Sequence, residues 1–230
     1  MKTLSNGILF VFLALLFIAS CGKLDNYDGP NASIKGAVKD AEGGALIEQD
    51  IDGGSKIIIK ELGFKTPVEQ QLIFKVNGEY QDKLLFANKY DIYFNESNFV
   101  KPDTLKSYEI KKGENTLDFS VKPYIRVSDV SIVKSETDIV ATFTITPTVA
   151  NKVREIGLFG HIDRIAGTRY ALQRKTQNIG AASQGVPVKY TLRLSAGGFK
   201  TGQAYYFRVG GLIDAQNAKY NYASAVRLTI

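Results

Sequence analysis

The side chains that most often carry catalysis are scarce in this chain of 230 residues. The single cysteine, Cys21, excludes an intramolecular disulfide and a cysteine-based metal site. The single histidine, His161, excludes a multi-histidine metal cluster. The sequence contains no Gly-x-Ser-x-Gly elbow that would present a serine nucleophile. We therefore expect His161 to be a surface or packed imidazole rather than a catalytic base.

Acidic side chains are numerous, with 23 in the chain, but their spacing selects no catalytic pair. Glycoside hydrolysis needs two carboxylates that face each other across a deep cleft. The segment Asp50-Ile51-Asp52-Gly53 has acids at alternate positions before a glycine, as calcium loops do, but the other oxygen ligands are not in register. We predict a solvated turn there. The sequence thus predicts no enzyme, with no catalytic residue, no metal and no cofactor.

Two polar loops in the second half of the chain hold the residues best suited to contact a ligand. One loop spans residues 214–222 and the other spans residues 161–170. The candidate ligand contacts are Arg164, Arg169, Tyr170, Tyr220 and Tyr222. Sugars stack on aromatic faces, and loops on a rigid scaffold concentrate binding residues. The alternative is structural: Tyr222 packs onto the last strand, and Tyr170 lies on a hairpin.

We expect β-strands to position these loops, because apolar and polar residues alternate along much of the chain. Such alternation predicts strands with one buried face. In the first half the pattern is clear at residues 34–38 and 90–94, and Ile57-Ile58-Ile59 predicts a central strand buried on both faces. Asn77-Gly78 predicts a two-residue hairpin turn with both residues at positive φ. Lys112-Gly113-Glu114-Asn115 predicts a further turn. No segment of this half sustains a helical period, so the fold class is all-β.

The net charge of +6 is unevenly distributed along the chain. Residues 22–123 hold 14 basic and 17 acidic side chains, whereas residues 124–230 hold 14 basic and 6 acidic ones. The basic residues of the second half are dispersed along strands without runs. Nucleic-acid binding usually requires a clustered basic patch, so we expect no nucleic-acid partner.

The amino-terminal residues have the composition of an export signal. Lys2 precedes an apolar run from Ile8 to Ile18, which is too short to span a membrane and typical of a signal-peptide core. Ile18-Ala19-Ser20-Cys21 then resembles a lipobox, in which the thiol of the cysteine receives diacylglycerol. Residues 1–20 are therefore predicted to be a signal peptide, and Cys21 the lipid attachment site.

Residues 21–31 read as a tether, because Gly, Asn, Asp and Pro disfavour regular structure. The stretch Leu24-Asp25-Asn26-Tyr27-Asp28 resembles the surface-export signal of Bacteroidetes lipoproteins. This resemblance implies a protein anchored by lipid in the outer membrane and facing the cell exterior. Two or three acyl chains suffice for stable anchoring.

The first domain is predicted at residues 32–123, where the pattern resembles a known sandwich. Ile34-Lys35-Gly36-Ala37-Val38 followed by Gly43-Gly44-Ala45 is similar to the carboxypeptidase-regulatory-like, transthyretin-type β-sandwich. Val76-Asn77-Gly78-Glu79-Tyr80 and the later Tyr90 resemble its Gly-x-Tyr hairpin. The resemblance implies that Gly36, Gly78, Tyr80 and Tyr90 determine the fold rather than perform chemistry.

The second domain is predicted at residues 124–230, after Pro123 ends the preceding strand. A change of alternation phase at Ser128-Asp129 predicts a β-bulge. The stretch from Phe199 to Val209 resembles the E–F corner of a fibronectin type III domain. In that motif Tyr205 would be the corner tyrosine, with its hydroxyl bonded to upstream backbone.

Taken together, the lipobox, the tether and two tandem β-sandwiches resemble a domain-of-unknown-function lipoprotein family of gut Bacteroidetes. Members of that family lie near outer-membrane glycan importers of the starch-utilisation type. The resemblance implies a non-catalytic surface lipoprotein that binds polysaccharide or assists such an importer. The alternative is a structural or adhesion module that contacts other surface proteins and binds no small ligand. A small hydrolase is the third hypothesis, which the scarcity of catalytic motifs disfavours.

Overall fold

A computed structural model of the protein describes residues 28–181 and 183–230. The predicted signal peptide, Cys21 and residues 22–27 of the tether lie outside the described residues. The described part is built from strands that form several sheets in two domains, with one short 3-10 turn at Ala196–Gly198, which confirms the all-β prediction. None of its helical segments is long and apolar enough to cross a membrane.

The first domain contains eight strands in two sheets, described without a gap. They are β1 (Ala32–Asp40), β2 (Lys56–Glu61), β3 (Glu69–Ile73), β4 (Glu79–Leu85), β5 (Asn88–Phe94), β6 (Leu105–Ile110), β7 (Gly113–Thr116) and β8 (Phe119–Val121). One sheet has the order β4-β1-β7, with β8 also paired to β1, and the other has the order β3-β2-β5-β6. All three residues Ile57, Ile58 and Ile59 are buried in β2, which confirms the predicted central strand.

The predicted turn at Lys112–Asn115 is wrong. Gly113 has a φ of +89°, but it already begins β7, which runs parallel to β1 with Ala32 opposite Gly113. The Nζ of Lys35 on β1 lies 2.6 Å from Oε2 of Glu114 on β7. Pairing with a distant strand has overridden local turn composition, which is common for short polar strands.

The segment Asn77-Gly78 turns the chain back in a tight hairpin, but with a three-residue loop, since the N–H of Lys75 donates to the carbonyl of Glu79 and the N–H of Gly78 to that of Lys75. The predicted two-residue turn with both residues at positive φ is wrong. Gly78 has a φ of +82°, whereas Asn77 is not at positive φ. The strands on either side belong to different sheets, since β3 pairs with β2 and β4 pairs with β1. A single bridge between Phe74 and Tyr80 joins them across the turn. Alternation predicts which residues are buried, but it does not specify which strand is the partner.

The residues assigned to structure in the first domain behave as predicted. Tyr80 and Tyr90 are buried, with 2% and 0% of their surface exposed. The hydroxyl of Tyr80 donates a 2.5 Å hydrogen bond to the carbonyl oxygen of Leu117. A Cβ at Gly36 would lie 1.9 Å from that same oxygen, so only glycine fits there. Tyr80 and Tyr90 belong to the hydrophobic core of the first domain, which is rich in aromatic rings.

The second domain also contains two sheets, described except for residue 182. Its strands are β9 (Ile125–Ser135), β10 (Asp138–Pro147), β11 (Val153–His161), β12 (Gln173–Ala181), β13 (Val188–Ser195), β14 (Ala204–Ile213), β15 (Asn221–Tyr222) and β16 (Val226–Thr229). One sheet has the order β13-β10-β9, and the other has the order β12-β11-β14-β15, with β16 also paired to β14. The predicted bulge is confirmed. Thr142 of β10 pairs with Ser131 of β9, but Thr144 pairs with Ser128, so the register shifts between them, and Asp129 in that interval has a φ of +50°.

The predicted tyrosine corner is confirmed by its hydrogen bond. The hydroxyl of Tyr205 accepts a hydrogen bond from the backbone N–H of Lys200 at 3.0 Å. The rings of Phe199 and Tyr205 meet edge to face with centroids 4.8 Å apart. Phe207 and Val209 follow in the core, both fully buried. The corner therefore anchors β14, the central strand that carries Arg208 into the contact between the two domains.

Candidate ligand-binding site at the domain junction

The two domains meet in a buried polar contact region, hereafter the junction, formed by residues 48–55 and 97–98 of the first domain and residues 166–168, 208 and 220–224 of the second. Arg208 lies at its centre and is fully buried. Its Nη2 donates hydrogen bonds to Oε2 of Glu48 at 3.2 Å and to the carbonyl of Gln49 at 3.1 Å. Nη1 donates to the carbonyl of Ala166, and Nε donates to that of Ala223.

The electrostatic surroundings of Arg208 compensate its burial. Burial lowers the pKa of Arg208, while the negative charge of Glu48 acts in the opposite direction. The guanidinium carbon also lies 4.1 Å from the centre of the Tyr222 ring, in cation–π geometry. An arginine stays protonated in proteins, and a buried one requires partners for its donors. The guanidinium of Arg208 has hydrogen-bond acceptors in both domains: Glu48 and Gln49 in the first, and Ala166 and Ala223 in the second.

Asp50 is the second charged group of the junction, and the predicted solvated turn is wrong for it. Only 6% of Asp50 is exposed. Its Oδ2 accepts hydrogen bonds from the hydroxyl of Tyr222 at 2.8 Å and from Oγ1 of Thr168 at 2.7 Å. A Cβ at Gly167 would lie 1.9 Å from Oδ1 of Asp50, so the second domain approaches this carboxylate through a glycine. Asp52, two residues later, is exposed as predicted.

Two buried asparagines complete the junction. The Nδ2 of Asn221 donates to the carbonyl of Asn98 at 2.7 Å, and the Nδ2 of Asn98 donates to the carbonyl of Tyr220 at 3.0 Å. The Oδ1 of Asn221 accepts from the N–H of Ile125, the first residue of β9. Each domain thus satisfies backbone groups of the other. Buried hydrogen bonds between the domains favour one relative arrangement of them, although the Oε1 of Gln49 in the junction is buried without a partner.

The tyrosines predicted to contact a ligand are buried, which corrects the expectation that they are exposed. Tyr220 and Tyr222 are only 5% and 7% exposed, and their rings stack with centroids 5.4 Å apart. Both pack against Phe159 beneath the loop that contains residues 162–171. Burial raises the pKa of both hydroxyls, and their hydrogen bonds to Glu155 and Asp50 raise it further. Their faces are covered by protein, so neither presents a stacking platform.

The other three predicted contacts lie on the surface but do not form one site. Tyr170 is 37% exposed, and its ring centroid lies 6.2 Å from that of His161. His161 is half-buried, and its Nδ1 accepts a hydrogen bond from the N–H of Asp163. The side chain of Arg169 packs against Gly53 of the first domain, where a Cβ would lie 3.2 Å from its Nε. These positions make Arg169 an interdomain contact.

Arg164 lines a groove of about 510 Å³ on one side of the junction. The groove lies between the turn at Asn77 in the first domain and Asp163 and Ile165 in the second. It combines charged side chains with apolar ones from Ile51 and Ile165. Of the five predicted residues, Arg164 is the one whose placement between the domains fits contact with a ligand.

A second depression, hereafter the junction cleft, opens between the domains and has a volume of about 420 Å³. It is lined by Asp40, Glu42, Ala45, Leu46, Ile47, Glu48, Pro123, Ile125, Arg126, Val127, Ser128, Asn221 and Tyr222. In the cleft, the guanidinium of Arg126 donates two hydrogen bonds to the carboxylate of Asp40. The Nε–Oδ2 distance is 2.7 Å and the Nη2–Oδ1 distance is 3.0 Å. Its Nη1 lies 3.0 Å from Oε2 of Glu42.

The charges in the junction cleft are oriented by one another. Burial acts to raise the pKa of Asp40, but hydrogen bonds from Arg126 and from the N–H of Glu42 outweigh it, and the pKa is lowered. The side chain of Glu42 is 71% exposed, and Leu46, which also lines the cleft, is 41% exposed. The cleft is therefore lined by both a hydrogen-bonding group and an exposed apolar side chain.

The sequence reasoning missed the junction residues for identifiable reasons. Arg208 lies between Phe207 and Val209 in an apolar strand, and a lone charge there is a signal for a buried, paired group. Arg126 and Asp40 carry no such signal, because both occupy ordinary alternating positions. Within the described residues, no three His, Cys, Asp or Glu side chains come together as metal ligands.

Comparison with known proteins gives matches over both domains. The family model described as “Protein of unknown function (DUF3823) N-terminal domain” matches residues 32–122, and “Domain of unknown function (DUF3823_C)” matches residues 125–227. No curated protein matches the chain. A structure of a “putative carbohydrate binding protein” from Bacteroides uniformis ATCC 8492 is 31% identical and has a TM-score of 0.80. The match covers 88% of this chain and 100% of that one.

Two further structures, both of DUF3823 family proteins, share the fold. The one from Parabacteroides merdae ATCC 43184 is 20% identical, with a TM-score of 0.72 over 88% of this chain and 100% of its own. A second one from Bacteroides uniformis ATCC 8492 is 18% identical, with a TM-score of 0.72 over 87% of this chain and 100% of its own. The expected kinship with a family of unknown function represented in Bacteroidetes is confirmed at this level. Since the two family models together match most of the chain, this protein belongs to the DUF3823 family.

Proposed function

We propose that this protein is a non-catalytic carbohydrate-binding lipoprotein of the outer-membrane surface, where it assists a polysaccharide-utilisation system. The 31% identical relative from Bacteroides uniformis, itself described as a “putative carbohydrate binding protein”, supports the ligand class. The lipobox-like Ile18-Ala19-Ser20-Cys21 supports the anchor and the location. The importer partner rests on the sequence resemblance alone.

The junction cleft is the observation that carries the proposal. Its volume of about 420 Å³ falls in the range of small-molecule sites. Sugar rings present hydroxyl groups around an edge and C–H groups on a face. Glu42 and Arg126 offer an acceptor and donors for the hydroxyls, and Leu46 offers apolar surface for the C–H face. Because the junction fixes the two walls, little conformational entropy is lost when a ligand binds.

The test is a glycan-array screen of the protein, followed by calorimetric titration of the best ligand. We expect Glu42→Ala and Leu46→Ala to weaken binding about tenfold each, since a hydrogen bond to a charged group or a buried apolar contact contributes about 1.5 kcal/mol. Both side chains are exposed, so neither change should disturb folding. Glu109→Ala and Val186→Ala are the matched controls, because both are exposed and lie outside the cleft. Equal affinity of all four variants would remove the cleft from the proposal.

The anchor is tested separately. Replacement of Cys21 by Ser, or treatment of cells with globomycin, should leave the precursor unprocessed or release the protein from the membrane fraction. Unchanged processing and partitioning would contradict the lipid anchor and the surface location. This result would not affect the glycan-binding measurement, which uses the folded domains.

One observation favours the second candidate function, a structural or adhesion module. Strand β12 (Gln173–Ala181) ends the sheet β12-β11-β14-β15, and it is exposed along nearly its whole length. Such an edge can add a strand from another protein through main-chain hydrogen bonds. A folded protein that binds no member of a broad glycan panel, but binds a neighbouring surface protein through this edge, would replace the carbohydrate proposal.

A further inference from the structure

We propose that the end of the first domain at which its amino-terminal strand begins is a docking surface for the lipid bilayer. This end, hereafter the tip, comprises residues 28–31, 62–68, 83–89 and 109–114. The inference deepens the proposed function, and it rests on the proposed lipid attachment at Cys21. It assigns a role to the exposed apolar residues and lysines that neither the junction nor the cleft uses.

Hydrogen bonds of Asn31 gather the tip into one surface. The N–H of Asn31 donates to the carbonyl of Leu85 at 3.0 Å, and its own carbonyl accepts from the N–H of Gly113 at 2.9 Å. Its Oδ1 accepts from the N–H of Ala87 at 2.8 Å. The loop after β2 joins them, since the Nδ2 of Asn88 donates to the carbonyl of Leu62 at 3.1 Å. The segment that leads back to Cys21 therefore leaves the domain from the middle of the tip.

The tip exposes apolar side chains that a water-facing surface does not require. Phe64, Val68, Leu84 and Phe86 are 61%, 73%, 75% and 42% exposed. They are four of the twelve large apolar residues that are exposed within the described part of the chain. Grouped exposed apolar residues mark interaction surfaces, whereas scattered ones need no explanation. Aromatic and leucine side chains on a polar surface are suited to the boundary between lipid headgroups and acyl chains.

Lysines surround these apolar residues. The exposed lysines of the tip are Lys65, Lys83, Lys89, Lys111 and Lys112. The acidic groups there are Asp28, Glu109 and Glu114, and Glu114 is already paired with Lys35. Glu61 and Asp82 border the tip, but both are half-buried and accept hydrogen bonds from Asn88 and from the N–H of Leu84. The exposed charged side chains of the tip are therefore mainly basic, although residues 22–123 as a whole carry more acids than bases. Lysines near an anionic lipid surface are attracted to it, so the exposed charge and the exposed apolar side chains favour the same partner.

The tether length limits how far the tip can lie from the bilayer. Asn31 follows Cys21 by ten positions, and a fully extended chain covers at most about 35 Å over that length. A lipid on Cys21 would therefore hold the tip close to the membrane. The opposite end of β1, at Asp40, contacts Arg126 in the second domain. The second domain and the junction cleft would then lie on the side away from the bilayer.

The experiment uses the absence of tryptophan from the chain. Phe64→Trp or Phe86→Trp in the full lipidated protein places a single fluorescent reporter on the tip. Val186→Trp, at a 49% exposed residue of the second domain, is the matched control. Each variant is reconstituted into phosphatidylcholine vesicles with or without phosphatidylglycerol, and with brominated acyl chains as quenchers. Flotation of the vesicles reports the anchor independently of the fluorescence.

We expect the tip reporters to shift to shorter emission wavelength and to be quenched by brominated lipid, while the Val186→Trp reporter is not. Lys111→Glu combined with Lys112→Glu should reduce quenching on anionic vesicles more than on zwitterionic ones. Protein that floats with the vesicles but shows no quenching at either tip position would overturn docking and leave the anchor intact. Protein that does not float would overturn the anchor and, with it, the docking that depends on it. Glycan binding is measured without vesicles, so neither result decides it.

Discussion

Arg208 of the second domain donates from its Nη2 to Oε2 of Glu48 in the first domain over 3.2 Å, and none of the Arg208 side chain is exposed. This contact joins residues 160 positions apart in the sequence. The other carboxylate oxygen of Glu48 accepts a hydrogen bond from Oγ of Ser224 at 2.8 Å. Charged groups on both sides of a domain interface are satisfied only in one relative orientation, so this pair fixes how the two sandwiches sit.

Replacement of Arg208 by Met should lower the free energy of unfolding by about 3–5 kcal/mol, because it removes the positive charge that pairs with Glu48 and the donors to three backbone carbonyls. Chemical denaturation followed by far-UV circular dichroism measures the loss. Arg227→Met is the matched control, since Arg227 is exposed on β16 and its removal should cost less than about 0.5 kcal/mol. Equal stability of the two variants would show that the buried arginine does not stabilise the junction.

Replacement of Gly78 by Ala should destabilise the protein more than replacement of Gly43 by Ala. Both glycines have positive φ, at +82° and +89°. A Cβ at Gly78 would lie 2.3 Å from the carbonyl oxygen of Ile47, whereas a Cβ at Gly43 meets nothing within 4 Å. The shared backbone strain costs about 1–2 kcal/mol, and the Gly78 variant loses more through the clash. The difference in melting temperature between the two variants measures the cost of the steric clash at Gly78, because the backbone strain is common to both. Coincident melting curves would show that the clash costs nothing.

The Asp40–Arg126 pair should make stability depend on pH in the acid range. The pKa of Asp40 is lowered in the folded protein. A lowered pKa means that the carboxylate stabilises the fold above the ordinary aspartate pKa of about 4, and that this contribution is lost as the pH falls through the folded-state value. Asp40→Asn should therefore be less stable than the parent at neutral pH and should approach it in acid. Denaturation across this range tests the sign, with Asp103→Asn at an exposed position as control.

Replacement of Tyr205 by Phe should cost about 1–2 kcal/mol, because the N–H of Lys200 loses the hydroxyl that accepts from it. The Phe199 ring contact remains, so the variant isolates the hydrogen bond. Tyr206→Phe is the control, since that residue is half-buried on the opposite face of β14. Equal unfolding free energies for the two variants would mean that the corner hydrogen bond adds no stability.

Local patterns predicted much of the fold. Alternation located β1 and β5, the apolar run Ile57-Ile58-Ile59 located β2, and the positions of Tyr80 and Tyr205 followed from motifs that depend on neighbouring residues. The sequence did not show that Gly113 begins a strand, because its partner β1 lies about 80 residues earlier and the segment itself has turn composition. Pairing between distant strands depends on the whole topology and not on the segment.

The candidate site was predicted less well, for a related reason. Tyr220 and Tyr222 lie in a polar, amide-rich segment, which usually indicates exposure. Their burial depends on Asp50 and Asn98, which arrive from the other domain. When each domain is considered alone, its polar segments are predicted to be exposed to solvent, although in the structure some of them are buried between the domains. Arg164 is exposed and lines a groove between the two domains, and its contact with a ligand stays a prediction.

The parallel pairing of β1 with β7 and β8 determines when the first domain can fold. Lys35 on β1 and Glu114 on β7 are 79 residues apart, so the first strand to be synthesised finds these partners among the last of its domain. Contacts of such separation slow folding, and an incomplete domain leaves a strand edge open. Until Gly113 and the residues after it have been synthesised, this edge of β1 is therefore unpaired.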